Sequence, residues 1–350
     1  MGTGRRGLVG IAVAAAVVAG AAIAGPAAEA RPGGDAAAAQ GACPAARAEV
    51  DRLEGRITPN ACAFMERQIA FGAIPTGTPP VPGDLTHPRV SAYLDIFDPD
   101  ATLWEAGSEP QRGRAVIGGS IATSLRLAPS LTYRGTNVVA DGSTVMFGQW
   151  NEVTLRGRTV AYPQIARNVL GDDGRTLQAR RYYDRAVLFQ DTLPDDAPAP
   201  LFAGVADSGR PERGAAEHGA PVRFHVGEIP GRLAAWNAGD TDALLDRFAG
   251  ARLMGPGLDA PLTTDAGKRA YLDRLFATGR LQLKAGQVAV GTTTTYVEWH
   301  GTVSGDQGTD IPFGIVERFG PDGEWELYFD TLPLVADQKR IRSLFMKLAS

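Results

Sequence analysis

The side chains able to do chemistry are few and scattered. Four histidines, His87, His218, His225 and His300, stand far apart, and none has a second ligand at metal-binding spacing. No metal is therefore expected, and without a phosphate loop or dinucleotide fingerprint no cofactor is expected either. Gly107-Ser108-Glu109-Pro110 reads as a turn, not a nucleophile elbow. Acid–base work by carboxylates remains. Glu105 falls in a strand-like stretch just before that turn. Trp104 beside it points to the opposite face and reads as packing. In the second half, Glu298, His300 and Glu317 lie in strand-like segments, facing either inward or solvent.

The only two cysteines, Cys43 and Cys62, are expected to pair in an oxidising compartment. With 18 residues between them, the bridge should contribute about 3 kcal/mol through loop entropy. Ala45 to Leu53 looks helical, Gly55-Arg56-Ile57-Thr58-Pro59 looks like a turn, and Asn60 can cap a second helix, so the bridge would staple a helical hairpin.

Export is also what the first thirty residues suggest. Arg5 and Arg6 precede an Ala-rich apolar run from Leu8 to Ala24, and Ala28-Glu29-Ala30 offers a small-x-small cleavage site. Gly7-Leu8-Val9 after the arginines fits a twin-arginine signal as well as a general secretory one. Because Ala and Gly dominate the run, cleavage is expected over a stable membrane anchor. The mature chain would carry 33 basic and 38 acidic residues, net −5. Without a basic block, nucleic acid is not an expected partner. Hydrophobic residues at 44% and charged residues at 21% are enough for real cores, and 350 residues leave room for two domains.

The elements that must position these groups occur twice. Tyr93-Leu94-Asp95-Ile96-Phe97 matches Leu244-Leu245-Asp246-Arg247-Phe248; Trp150 matches Trp299, Pro163 matches Pro312, and Tyr182-Tyr183-Asp184 matches Tyr328-Phe329-Asp330. The order is kept, with offsets between 146 and 151, which indicates a domain duplication rather than a solenoid. Each copy has helices first. Asn237-Ala238-Gly239 ends one helix and Asp240 or Thr241 can cap the next. Strand-rich segments follow at Thr132–Ala140, Thr144–Leu155, Val160–Leu170 and Arg175–Phe189, with hairpin signals at Asp172-Asp173-Gly174 and Pro321-Asp322-Gly323. The expected class is α+β: two cone-shaped domains, each with N-terminal helices packed on a curved antiparallel sheet. The expected boundaries are a signal peptide at 1–30, a flexible segment and the start of the hairpin at 31–59, the first domain at 60–190, a Pro/Ala/Gly linker at 191–224, the second domain at 225–335, and an amphipathic helix at 336–350 packed on a domain through Ile341, Leu344, Phe345 and Leu348.

The run Phe97-Asp98-Pro99-Asp100-Ala101-Thr102-Leu103-Trp104-Glu105-Ala106-Gly107-Ser108-Glu109-Pro110 resembles the signature F-A-D-D-A-T-V-E-D-P-V-G-S-E-P of bacterial ketosteroid isomerases. The segment around Trp236-Asn237-Ala238-Gly239-Asp240 is similar to SnoaL-like proteins. The resemblance implies tandem nuclear-transport-factor-2-like cones around a mostly apolar pocket, with Glu105 at the position of the catalytic base. Isomerases of this family pair their base with two oxyanion donors, a tyrosine and a protonated Asp. Here Ala166 stands at the Asp position, and no tyrosine occurs between Glu49 and Arg89; Gln164, Asn168, Tyr182 and Tyr183 are the local substitutes. Gly255, Ile315 and Arg232 take the three positions in the second copy. Ala179 to Asp184 and Trp325 to Asp330 also resemble the closing W-R-D-Y-F-D strand of limonene-epoxide-hydrolase-like proteins, with Arg181 and Leu327 in place of its Asp. The implied function is binding of a small apolar oxygenated ligand of steroid, polyketide or terpenoid type, with isomerase or cyclase chemistry through Glu105. The alternatives are a non-catalytic binding protein and a polyether-type epoxide hydrolase or cyclase. A domain pair within the chain or a homodimer fits the duplication, and the expected location is secreted or on the exterior of a bacterial envelope.

Overall fold

The computed structural model describes residues 43–105, 108–207, 224–246, 248, 250–305 and 310–349. The leader, His218 and most of the second half of the expected linker lie outside these residues. The first unit runs α1 (Pro44–Glu49), β1 (Arg52–Arg56), α2 (Pro59–Gly72), α3 (Pro88–Asp95), β2 (Phe97–Glu105), β3 (Gln111–Arg112), α4 (Arg114–Leu127), β4 (Thr132–Asp141), β5 (Thr144–Leu155), β6 (Arg158–Leu170), β7 (Thr176–Tyr182) and α5 (Ala186–Thr192). The second runs α6 (Ile229–Ala238), α7 (Thr241–Asp246), β8 (Arg252–Met254), α8 (Asp265–Phe276), β9 (Arg280–Val290), β10 (Thr295–Ser304), β11 (Asp310–Phe319), β12 (Glu324–Tyr328), α9 (Leu332–Val335) and α10 (Gln338–Ala349).

Strand order shows the duplication directly. The first sheet is β1-β4-β5-β6-β7-β2-β3 and the second β8-β12-β11-β10-β9, so β2-β7-β6-β5-β4 recurs strand for strand. The α+β class is as expected. The sheets are mixed rather than wholly antiparallel: β2 joins β7 in parallel, β8 joins β12 in parallel, and β1 adds a further parallel edge on β4. A strand followed by a helix and then a meander returns to the far edge of that meander, which makes its pairing there parallel.

Hydrogen-bonding side chains set several boundaries that the sequence reading misplaced. The first helix stops at Glu49, and Arg52–Arg56 pair as a strand, so the segment between the cysteines is helix, strand, helix rather than a hairpin. Thr58, not Asn60, caps α2: its hydroxyl accepts from Ala61 N at 3.2 Å, with Pro59 in the first turn, where a missing N–H costs nothing. The last strand of the first meander ends at Tyr182 because Asp184 accepts from Ala186 N at 3.0 Å and starts a helix. The turn at Asp172-Asp173-Gly174 and the helix end at Gly239 form as expected, both glycines at positive φ (74° and 65°). The repeat register needs one adjustment. Trp299 faces Ile315 across its ladder as Phe147 faces Ala166, so Phe147, not Trp150, is the counterpart of Trp299.

In each unit helices cover one sheet face. Phe64, Phe97, Leu103, Phe147 and Ala166 lie in the first core, and Trp236, Trp299, Phe313 and Trp325 in the second. The other faces meet back to back through Val139, Met146, Ile165 and Tyr182 against Ala289, Tyr296 and Val316, with Trp104 and Tyr328 at the margin. The disulfide between Cys43 and Cys62, with Cα atoms 5.2 Å apart, ties α1 to α2. Helix α10 packs as an amphipathic helix, and it does so on the first unit: Ile341, Leu344 and Leu348 join Val153, Leu155, Val160 and Phe189. The described part of the expected linker is likewise packed. Phe202 is buried in the second core, stacked on Tyr271 at 3.9 Å. No helix of the described residues is long and apolar enough to cross a membrane.

Candidate functional site

Alternation along the strands decides which side chains share the first cone. Ala101 and Leu103 lie in its core, so Glu105, two residues on, points to the same side, while Trp104 turns to the back and packs on Tyr182 at 5.4 Å. On β7, Ala179 is in the cone core and Arg181 follows on that face; the ladder sets Arg181 directly beside Glu105. On β6, Ala166 is in the core, and Gln164 and Asn168 flank it on the same face.

The Glu105 carboxylate is half-buried and accepts no hydrogen bond from the described residues. Burial pushes its pKa up, and the Arg181 and Arg185 guanidiniums oppose that only in part. Phenols surround it. Burial raises Tyr93 to about 12 and also raises Tyr162 and Tyr183, with the Glu105 charge adding to all three. Tyr162 and Tyr183 stack at 5.4 Å. Tyr133, also raised by burial, continues the row through Tyr93 and donates to the Gln68 carbonyl at 2.5 Å. Asn168 accepts from Arg181 Nη1 at 3.2 Å, while its own buried amide nitrogen has no partner.

This row connects two cavities. One of about 260 Å³ lies between α1, α2 and β4, bounded by Phe64, Gln68, Tyr133, Val138 and Phe147. The other is a cleft of about 1070 Å³ between the units, reached by Gln149, Tyr162, Gln164 and Tyr183 from one side and by Tyr296, Arg318 and Tyr328 from the other. Glu105 lines neither; it sits between them, within electrostatic reach of Tyr93 on one side and Tyr162 and Tyr183 on the other.

Of the expected ligand-contacting residues, Asn168 and Tyr183 face the Glu105 region. Gln164 borders the cleft and donates to Gln149 at 2.5 Å. Tyr182 does not belong to this site: it points to the back of the sheet and donates to Glu298 of the second unit at 2.5 Å. The sequence reading missed Tyr93, Tyr133, Tyr162, Arg181 and Arg185. Tyr162 was findable as the residue two before Gln164 on one strand face. Tyr93 was hidden because a Pro-rich stretch, residues 73–87, parts its helix α3 from α2 and leaves it just before the base strand.

The three candidates in the second unit have structural partners. Glu298 receives Arg167 at 2.9 Å, Arg180 at 3.4 Å, Tyr182 and Gln287 N, across the seam between units. Half-buried His300 beside it is pushed down to about 4, first by burial and then by Arg180, so it is neutral at pH 7. Glu317 takes Arg232 in a two-pronged bond of 2.7 and 2.5 Å, and the indole N–H groups of Trp236, Trp299 and Trp325 at 3.2, 2.8 and 2.9 Å. Glu317 is thereby fully engaged, while the cleft between the units reaches Gly255, Leu327 and Phe329 of the second unit.

No family model matches the chain, and no curated protein matches it. Solved structures do. A protein from Jannaschia sp. CCS1 described as a SnoaL-like polyketide cyclase is 15% identical, with 40% of this chain and 98% of that one covered, at a TM-score of 0.33. A Catenulispora acidiphila protein with a ketosteroid-isomerase-like fold, in complex with trimethylamine, is 22% identical over 41% of this chain and all of that one, at 0.32. A nuclear-transport-factor-2-like protein from Burkholderia pseudomallei is 13% identical over 37% and 95%, at 0.29.

Proposed function

We propose that the first cone binds a small apolar, oxygenated molecule of steroid, polyketide or terpenoid type, and that Glu105 moves a proton on it as an isomerase or cyclase base would. The state of the Glu105 carboxylate carries this reading. Glu298 and Glu317 are fully engaged by arginines, indoles and backbone, whereas Glu105 accepts no hydrogen bond from the described residues and has its pKa raised by burial. A carboxyl whose pKa is raised by burial, and which is not engaged in structure, is suited to give and take a proton. Tyr93 and the unpartnered Asn168 amide are the donors available to a developing enolate oxygen, in place of the Asp that Ala166 displaces. The disulfide supports the reading of an exported protein.

The test is Glu105→Gln, assayed on a β,γ-unsaturated ketosteroid by the rise in conjugated-enone absorbance and on a model epoxide by diol formation. The parent should turn over at least one and the variant neither, with ligand affinity changed by less than about threefold. Equal rates in both proteins would remove Glu105 as the base. Binding without turnover in either protein would favour the second reading, a carrier without chemistry.

A further inference from the structure

Among the described residues, buried cations have acidic or carbonyl partners that account for their charge, and Arg181 stands apart. Arg167 meets Glu298, Arg185 meets Asp330, Arg232 meets Glu317, Arg318 meets Glu324 and Glu326, and Lys268 meets Asp265. Arg89 lies on the Phe71 ring and donates to the carbonyls of Pro129 and Leu131. Arg181 differs. It is 5% exposed, no carboxylate of the described residues is within ion-pair distance, and its Nη1 donates to Asn168 at 3.2 Å and to the Arg180 carbonyl at 3.3 Å. Asn168 is 0% exposed, and its amide nitrogen beside that guanidinium is unpartnered. A guanidinium removed from water without a carboxylate at contact distance is disfavoured, because its charge loses hydration and Glu105, beside it but beyond ion-pair distance, compensates only in part. A buried amide donor with no acceptor, beside a guanidinium with no carboxylate in contact, both on the cone face, is what an anion would satisfy.

We propose that Arg181, with the Asn168 amide, is the anion-recognition site of the first cone, and that the ligand there is a small apolar organic acid carrying a carboxylate or an ionised enol or phenol oxygen. This rests on the reading of that cone as a ligand site and narrows it to acids. The tyrosines accept the apolar body and Arg181 takes the charged oxygen in its planar fork. Repeat comparison agrees with a role particular to the first unit: Leu327 stands at the Arg181 position in the second, inside an apolar core.

The test uses 2-naphthoate and its methyl ester, equal in shape and differing in charge, titrated calorimetrically into the full chain. The parent should bind the acid tighter than the ester by about tenfold or more, the scale of one charge-assisted hydrogen bond. Arg181→Gln should bring the ratio near one with ester affinity changed by less than about threefold, and Arg181→Lys should restore most of the preference. Thermal melting checks that both variants fold; should Arg181→Gln not fold, Asn168→Ala carries the test, with a smaller loss of acid preference expected. A parent that binds both probes equally, or an Arg181→Gln variant that keeps the preference, overturns the anion assignment and leaves the cone as a ligand site. A parent that binds neither probe overturns both.

Discussion

Replacing Glu298 by Gln should cost about 3 kcal/mol of stability at pH 7. Glu298 and Arg167 are each 1% exposed, and the carboxylate also receives Arg180, Tyr182 and the Gln287 N–H. These partners hold its pKa near 2 against an ordinary 4.5, overcoming the burial that would raise it. A carboxyl so displaced contributes about 3 kcal/mol at neutral pH. Removing one member of a buried pair costs about 3–5 kcal/mol, because the other is left charged and dry. Gln keeps the oxygen that Tyr182 donates to but turns its amide nitrogen toward the Gln287 N–H, so only one of these two bonds survives, and the expectation stays within that range. The pH dependence has a definite sign. The folded value lies below the unfolded one, so this stability is complete above about pH 5 and is lost as pH falls from 4.5 toward 2. Urea denaturation of parent and variant should show the full gap at pH 7 and one narrower by roughly 1 kcal/mol at pH 3.5. A gap below about 1 kcal/mol at pH 7, or one unchanged by acid, would refute the idea that this ion cluster fastens the units.

Two further perturbations probe the packing. Cys43→Ser should cost about 3 kcal/mol by closing no loop in the unfolded chain, and dithiothreitol added to the parent should reproduce the loss in urea denaturation; a reduced parent as stable as the oxidised one would contradict it. Phe202→Ala should cost about 3–5 kcal/mol in the same assay, because the ring fills space among Tyr271, Phe329 and Gly257. A cost near zero would mean that the connection does not plug the second cone.

Periodicity carried most of the fold into the sequence. The four-strand meanders, the hairpin turns and the apolar stripe of α10 were legible because one-sided burial writes itself as alternation or helical spacing. What failed had competing local signals. Val50 to Arg56 has no strong alternation, and β1 exists because β4 offers it a parallel edge and because Glu54 accepts from Thr293 N and Thr294 N of the second unit. Such a strand is defined by partners roughly 85 and 240 residues away, which no short window contains. The site was legible in the same measure. Glu105 could be found because a local string surrounds it, but Tyr93, Tyr162 and Arg181 meet it only after three strands and a helix have packed. The side chosen by Tyr182 also depended on tertiary structure: alternation fixes that it opposes Tyr183, and only the packed second sheet reveals which of the two is inside.

The ladders permit one last comparison, position against position. Glu105 answers to Gly255, Arg181 to Leu327, and, with Pro163 set on Pro312, Asn168 to Glu317. In the second unit each change removes a polar group or engages it, and Gly255 and Leu327 border the cleft between the units. A side chain at Gly255 would strike the Tyr271 hydroxyl, 2.4 Å from where its Cβ would lie, so the base position is occupied by a ring. Glu317 supplies a carboxylate from another strand, but Arg232 and three indoles consume its acceptor capacity. Phe202 then enters from the connection and fills the remaining space. The first unit shows the reverse at each position: a carboxylate that accepts no hydrogen bond from the described residues, a guanidinium beside it beyond ion-pair distance, and a buried amide with a free donor. Unsatisfied polar groups in a core are costly, so three that meet on one face of the first sheet, where the second unit has Gly255, Leu327 and a fully engaged Glu317, indicate a division of labour between the copies.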